Sequence, residues 1–367
     1  MSIGLYIHIP FCKGKCPYCD FYSVRTDEEL MNRYVASLVA EIGDWADELF
    51  NKEVSTIYIG GGSPSQIGGI RLRRIINAAK DNFNFVGNEI TVELNPSDDM
   101  DEILPELAKA GVTRISLGMQ SAVDEERKAL GRRASADDVK RAIEKAKDNS
   151  ITNISLDLMI GVPKQSLESL EQSLDFLKSA DITHISFYML SIEEGTHFYD
   201  ISDKLVLPEE EDVCQMYEKT IEELEKSGFK QYEISNLAKE GFESQHNLKY
   251  WHCEEYLGIG PSAHSFLDGK RFYYPRDIEL FINGTKPIND GNGGDFEEYA
   301  MLALRLTEGL QNERVIERFG KAIDKKIFNR AKKKKFKGLL KVNDNSIALT
   351  PKGFLVSNSI ISELIEE

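Results

Sequence analysis

The sequence is short of positive charge, of long apolar runs and of cysteine. Its 45 Lys and Arg stand against 61 Asp and Glu, a formal charge of −16 with a pI near 5.0. That balance excludes a nucleic-acid or anionic-membrane binder whose whole surface is basic. No window comes near the roughly 18 uninterrupted apolar residues of a transmembrane helix, which excludes direct membrane insertion of that kind. The start, MSIGLYIHIPF, has neither a basic leader nor a long apolar segment. The expectation is therefore no signal peptide and a cytoplasmic protein. Only five residues are Cys, an odd number that does not suit a disulfide framework in a reducing compartment.

What is present suits an ordinary globular chain with a real core. Hydrophobic residues make up 41% of the 367 residues and charged residues 29%, enough for a core and a solvated surface. At about 150 residues per domain, the length suggests two domains, or one large barrel with an appendage. Three of the five cysteines, Cys12, Cys16 and Cys19, fall within eight residues, which reads as metal-binding or catalytic. Cys214 and Cys253 are isolated and read as incidental thiols.

Short β-branched runs alternate with longer amphipathic stretches as far as residue 235. Strands are expected near 4–9, 56–59, 90–94, 114–117, 154–159, 184–189 and 232–234, and helices over 27–50, 70–83, 100–110, 136–149, 167–180 and 209–227. Repeated alternation, read here with both faces of each strand apolar, signals a parallel sheet of βαβ units. Six or more units suit a full or partial α/β barrel, whose chemistry belongs in the loops at the strand C-terminal ends. The expected organisation is a βα barrel core over 1–235, an aromatic and glycine-rich extension over 236–290, and a C-terminal unit over 295–367. Pro287 to Asp295 reads as a linker. The end of the chain reads as strand, Asn-Asp-Asn turn, strand and helix, a small winged-helix-like α+β unit. Its basic run, Lys332 to Lys335, is read as a solvated helix face rather than a nucleic-acid site.

The first loop, HIPFCKGKCPYCDF, spaces its cysteines C-x3-C-x2-C with no fourth in reach. Three thiolates can hold three irons of a [4Fe–4S] cube and leave the fourth open, which makes a reaction site rather than a mere electron carrier. A structural zinc site wants four ligands. A Cys3His version using His8 or His252 stays open at this stage.

This spacing after a first barrel strand resembles the radical S-adenosylmethionine (SAM) superfamily. The resemblance implies a partial (β/α)6 TIM-like barrel whose open iron binds the amino and carboxylate groups of SAM and cleaves its sulfonium bond. It also implies site residues. Gly61, Gly62 and Ser63, in IYIGGGSPS after the second strand, resemble the loop that meets the methionine moiety. Glu93 in TVELNP and Asp157 in ISLDLMIGVP resemble ribose contacts. Gln120 in SLGMQS and Arg132 in ALGRRA resemble contacts on the carboxylate side. Tyr6 resembles the residue stacked near the cluster, and Phe21 completes the cofactor-binding set.

The phrase YIHIPFC…CPYCDFYS, with SLDLMIGVPKQ, QYEISNLAK and LTPKGFLVSNSII, resembles one branch over essentially the whole length. That branch holds the oxygen-independent coproporphyrinogen III oxidases (HemN) and the HemW-type haem chaperones. HemN-type enzymes have a further Cys two residues after the third, where this chain has Phe21, and a longer segment before the cluster strand, where this chain has eleven residues before Cys12. Both departures count against coproporphyrinogen decarboxylation, the alternative function. The segment His246 to Trp251, HNLKYW, resembles the HNxxYW motif associated with haem binding in HemW-type proteins. A His is a natural axial ligand, and Tyr250 and Trp251 offer flat apolar surface. The plainer reading is a core histidine with packing aromatics; His264, His252 and Cys253 are further candidate ligands. The resemblance thus implies haem as ligand, haem-accepting proteins such as respiratory enzymes as partners, and no nucleic acid. Lys249, Lys270 and Arg271 would offset the charge of haem. A homodimer is compatible with the branch, although no residue pattern points to one.

Overall fold

The computed structural model describes residues 2–365. Six strands follow one another in parallel: β1 Ile3–Ile9, β2 Glu53–Gly61, β3 Asn84–Leu94, β4 Arg114–Gln120, β5 Asn153–Ile160 and β6 His184–Met189. The helices between them are α1 Glu28–Glu48, α2 Gly69–Asn82, α3 Met100–Ala110, α4 Ala136–Asp148 and α5 Leu167–Ser179, with α6 Glu210–Lys226 after β6. Most of these helices start where an orphan N–H finds a side-chain acceptor. Asp27 caps α1, Asp99 caps α3, and Ser135 and Ser166 open α4 and α5 with capping boxes.

The rest of the sheet comes from beyond residue 229. Strands β7 Lys230–Glu233 and β8 Asn236–Ala238 form an antiparallel pair on β6. After the short helix α7 Gln245–Trp251, strand β9 Tyr256–Ile259 returns to lie parallel to β1. Three antiparallel strands follow outward, β10 His264–Leu267, β11 Lys270–Tyr273 and β12 Ile288–Asn292. The order is β12-β11-β10-β9-β1-β2-β3-β4-β5-β6-β8-β7, an open mixed sheet and so a partial barrel.

Three expectations need correction. The strand near 232–234 is not a further parallel barrel strand but half of an antiparallel hairpin. Residues 288–292, read as linker, form an exposed edge strand whose sequence carries no strand signal because none of its side chains is buried. And the strands are not apolar on both faces. Leu5, Ile7, Ile57, Ile59, Ile115, Leu117, Leu156, Leu158, Ile185 and Phe187 are buried in the main hydrophobic core. The alternate positions carry Tyr6, His8, Thr56, Tyr58, Thr91, Glu93, Arg114, Ser116, Ser155, Asp157, His184 and Ser186, and make a polar, aromatic inner face.

At the C-terminus, β13 Leu310–Gln311, β14 Leu340–Val342 and β15 Ser346–Leu349 form a small sheet in the order β13-β15-β14. It packs with helices over Asn312–Phe319, Lys325–Ala331 and Ser357–Ile365, the winged-helix-like arrangement expected. Asn343 holds the turn, accepting from the N–H groups of Asn345 and Ser346. The basic run answers its own acids: Lys333 and Lys335 both approach Glu363.

Candidate functional site

The cysteine loop leaves β1 at its C-terminal end and is tied down on all sides. Phe11 and Cys12 pair in parallel with Val24 and Arg25, and the Val24 N–H donates to Pro10 O at 2.6 Å. The Gly62 and Ser63 N–H groups donate to Ile9 O and Phe11 O, both at 2.9 Å, locking the GGGS loop beside Cys12. On the far side Phe198 donates its N–H to Pro17 O, and Tyr18 packs on Phe198 in a small apolar cluster with Leu130, Met159 and Val162. Tyr18 is a site neighbour that the sequence reading missed, although its place between Cys16 and Cys19 was the available signal.

The three thiols are free and partly exposed. Burial raises the Cys12 pKa, a Ser23 hydrogen bond opposes it, and the other two thiols push it further up. Burial likewise raises Cys19, against the Phe21 backbone N–H. Among the described residues no three His, Cys, Asp or Glu side chains could hold one metal ion. Tetrahedral zinc at 2.3 Å from sulfur needs its thiolates about 3.8 Å apart, whereas three ligands on separate irons of a cube stand wider. Three cysteines without a fourth ligand are the donor set of a cluster with one open iron rather than of a four-ligand zinc site. His8 is also spoken for: Nδ1 meets the Tyr6 hydroxyl at 3.0 Å and Nε2 the Tyr22 carbonyl at 3.2 Å. His252 bonds Glu308 at the other end of the sheet.

The remaining SAM-contact candidates converge on the same end of the barrel and, with one exception, are half-buried. Arg132 donates to Gly118 O at 2.6 Å and lies 3.9 Å from the Cys16 sulfur. Burial works against its charge, but Tyr18 and Cys16 hold its pKa up. Gln120 closes β4 at a register shift with φ +67°, a left-handed conformation that costs a non-glycine residue on the order of 1 kcal/mol. Glu93 accepts from the Tyr58 hydroxyl at 2.7 Å and the Gly61 N–H at 3.2 Å. Burial and the charge of Asp157 raise the Glu93 pKa to about 7 against the pull of Tyr58, Gly61 and Arg114. Asp157 accepts from Ser116 at 3.0 Å, and burial raises it to about 6. Tyr6 lies against Tyr58, ring centres 6.2 Å apart.

Phe21 is the exception. The residue is 68% exposed, and its backbone N–H rather than its ring faces Cys19. The glycine triplet also differs in its reason. A Cβ on Gly60 would meet the Glu93 carboxylate at 2.9 Å, and one on Gly61, where φ is +116°, the His8 ring at 2.6 Å. The protein's own groups therefore already crowd all three positions, the third through the Phe11 carbonyl oxygen, 2.8 Å from a Cβ on Gly62. Tyr188, whose neighbours include Asp157, Glu233 and Glu93, is 44% exposed.

His246 lies towards the opposite end, its ring beside Gly4, five residues or about 17 Å of strand rise from Ile9 at the start of the cysteine loop. Its ring is buried, with Nδ1 against the Thr56 hydroxyl at 2.8 Å and Nε2 against the Tyr250 hydroxyl at 2.7 Å. Burial lowers its pKa to about 3, so it is neutral. Tyr250 stands edge-on to Tyr256, and Arg305 covers Trp251. Lys249 donates to Glu254 and Ser2 O, and Arg271 pairs with Glu298. The expected open haem ligand is, in this arrangement, a core histidine with both nitrogens in use. Of the further candidates, Cys253 is buried, and His264 is exposed and stacked on Tyr273.

Comparison with known proteins settles the family. The radical SAM superfamily profile matches residues 6–177, and the HemN C-terminal domain profile matches residues 295–356. The heme chaperone HemW of Bacillus subtilis is 35% identical over 99% of both chains. That of Lactococcus lactis is 33% identical over 98% of this chain and 96% of its own. The chain belongs to the HemW family of radical SAM proteins. The HemW of Escherichia coli is 37% identical over 73% of this chain and 72% of its own. In fold, this HemW-family chain resembles the coproporphyrinogen III oxidase HemN of Escherichia coli, with a TM-score of 0.85 at 20% identity, covering all of this chain and 90% of that one.

Proposed function

We propose that this protein is a haem chaperone that carries a SAM-ligated [4Fe–4S] cluster and passes haem to haem-requiring acceptor proteins in the cytoplasm. The observation that carries the reading is the end-to-end relation to proteins named heme chaperone HemW, with 99% of both chains aligned in one case. Phe21, standing where the oxidases have a further Cys, agrees with it. Among the described residues no helix is long and apolar enough to cross a membrane.

In this reading Cys12, Cys16 and Cys19 hold the cluster, which supplies an open iron for SAM and one-electron chemistry. Arg132 and Gln120 meet the carboxylate side of SAM, with Arg132 doubling as a counter-charge beside Cys16. Glu93 and Asp157 accept from the ribose hydroxyls, Ser63 adds a donor, and Tyr6 packs beneath. Haem has no such ready place at His246. Ligation there requires at least one of the bonds to Thr56 and Tyr250 to open.

An anaerobic haemin titration of cluster-reconstituted protein tests the proposal, with wild type beside His246→Ala. Saturable Soret changes near one haem per chain, weakened in the variant, support both chaperone and site. Saturable binding unchanged in the variant moves haem elsewhere on the protein. Non-saturating binding in both overturns the chaperone reading.

A further inference from the structure

A column of rings joins the two ends of the barrel interior. At the bottom the His246 ring is gripped on both sides, by Thr56 at 2.8 Å and by Tyr250 at 2.7 Å. Its backbone is fixed as well, since the buried Glu89 carboxylate accepts from the N–H groups of Gln245 at 2.8 Å and His246 at 3.0 Å. Above it Tyr58 stacks at 5.2 Å, with the planes 29° apart. The Tyr58 hydroxyl then reaches up to Glu93 at 2.7 Å. Thr56 and Tyr58 are alternate residues of one strand, so both point to the same face. One side of the Tyr58 ring thus rests on a histidine held by the residue two places before it.

We infer that His246 is a positioning residue for the SAM site, fixing the Tyr58 ring so that its hydroxyl orients the Glu93 carboxylate. The inference rests on the reading of Glu93 as a ribose contact. It gives the HNLKYW segment a role that needs no haem. A carboxylate with one rigid donor on Oε1 and the Gly61 N–H on Oε2 presents its remaining lone pairs in one direction. If the histidine shifts, Tyr58 loses its stacking surface and the orientation of Glu93 loosens. Any event that draws His246 out of its place, iron ligation included, must then weaken SAM binding. By linkage, SAM must weaken that event by the same factor.

The plainer alternative is that His246 only packs the floor of the barrel. A double-mutant cycle separates the two. SAM affinity is measured by equilibrium dialysis on the full-length, cluster-reconstituted protein without haem. Tyr58→Phe removes the donor to Glu93 but keeps the ring, and is expected to weaken SAM about tenfold, the usual worth of a hydrogen bond to a charged group. Thr56→Val, close in volume, frees one side of His246 and is expected to weaken SAM several-fold. Thr56→Ser, which keeps the hydroxyl, should restore wild-type affinity. The double variant Thr56→Val with Tyr58→Phe should bind no worse than Tyr58→Phe alone.

An unchanged SAM affinity in Thr56→Val, or full additivity with Tyr58→Phe, overturns the inference. Glu93→Gln serves as the control. If it weakens SAM while Thr56→Val does not, the ribose contact stands and the positioning role falls. If it leaves SAM affinity unchanged, the ribose contact and the route through Tyr58 fall together. Should Thr56→Val fail to fold, His246→Gln takes its place in the same cycle: weaker SAM binding without additivity supports the positioning role, and unchanged or fully additive binding overturns it.

Discussion

Arg132 lies 3.9 Å from the Cys16 sulfur while donating to the Gly118 carbonyl oxygen at 2.6 Å. Few side chains could take this place. A Cβ on Gly118 would come within 2.7 Å of the Arg132 guanidinium, so the glycine on β4 and the arginine after it are fitted to each other. The guanidinium thus presents fixed donors at the edge of the cysteine loop, where a ligand carboxylate is expected. Arg132→Met should lower SAM affinity by at least tenfold, the worth of a charge-assisted hydrogen bond. It should leave iron content unchanged, because Arg132 touches a ligand without being one. Dialysis for SAM beside iron and sulfide analysis checks both halves.

The cysteine assignment predicts a sharp division among the five thiols. Replacing Cys12, Cys16 or Cys19 by Ser should abolish the brown chromophore after anaerobic reconstitution. Cys214→Ser and Cys253→Ser should keep it, since the first sits on an outer helix and the second is buried at the far end of the sheet. Full iron in any of the first three variants would contradict the ligand set.

Much of this was legible in the sequence, and the reasons it was not complete are local. The six parallel strands and their helices announced themselves through β-branched runs and amphipathic periods, and the capping residues Asp27, Ser135 and Ser166 stand where the helices begin. Cys12, Arg132, Glu93 and Asp157 fall together because strands in parallel register bring their C-terminal ends to one face. The polar inner face was equally readable, as the alternation in LYIHI, RISLG and HISFY, but a parallel sheet invites the assumption of two apolar faces. Strand β9 was hidden because YLGI is four residues long and carries a glycine inside it. Nothing in HNLKYW could show that its histidine is gripped by Thr56, a residue 190 positions away.

Two glycines give a controlled test of what crowding adds to backbone strain. Gly61 has φ +116° and its Cβ would strike the His8 ring at 2.6 Å; Gly195 has φ +84° with nothing within 4 Å. Gly195→Ala should cost about 1 kcal/mol, the conformational strain alone. Gly61→Ala must add displacement of His8, and with it the bonds to Tyr6 and the Tyr22 carbonyl, for a total of about 3 kcal/mol or more. Denaturant midpoints of the two variants, with m-values compared to confirm a common unfolded state, check the ranking. Equal losses would mean that His8 moves freely and does not brace the cysteine loop.

The carboxylate of Glu93 makes the site pH-dependent, with a definite sign. Burial lifts its pKa to about 7, with Asp157 adding to the rise, while Tyr58, the Gly61 N–H and Arg114 restrain it. In the unfolded chain the group titrates near 4.5. The folded protein therefore binds the proton more tightly, and this group's contribution to stability is full below about pH 4.5 and lost as pH rises through about 7. Glu93→Gln should accordingly stabilise the apo-protein above pH 7 and lose that advantage as the pH falls towards 4.5. Ligand binding should run the other way. A protonated Glu93 spends one oxygen as a donor and accepts ribose hydroxyls less well. SAM affinity of the wild type should rise between pH 6 and 8, while Glu93→Gln shows a weaker and flatter profile. A wild-type profile as flat as that of the variant would remove Glu93 from the SAM contacts, and the opposite slopes of stability and affinity make the two effects separable in one pH series.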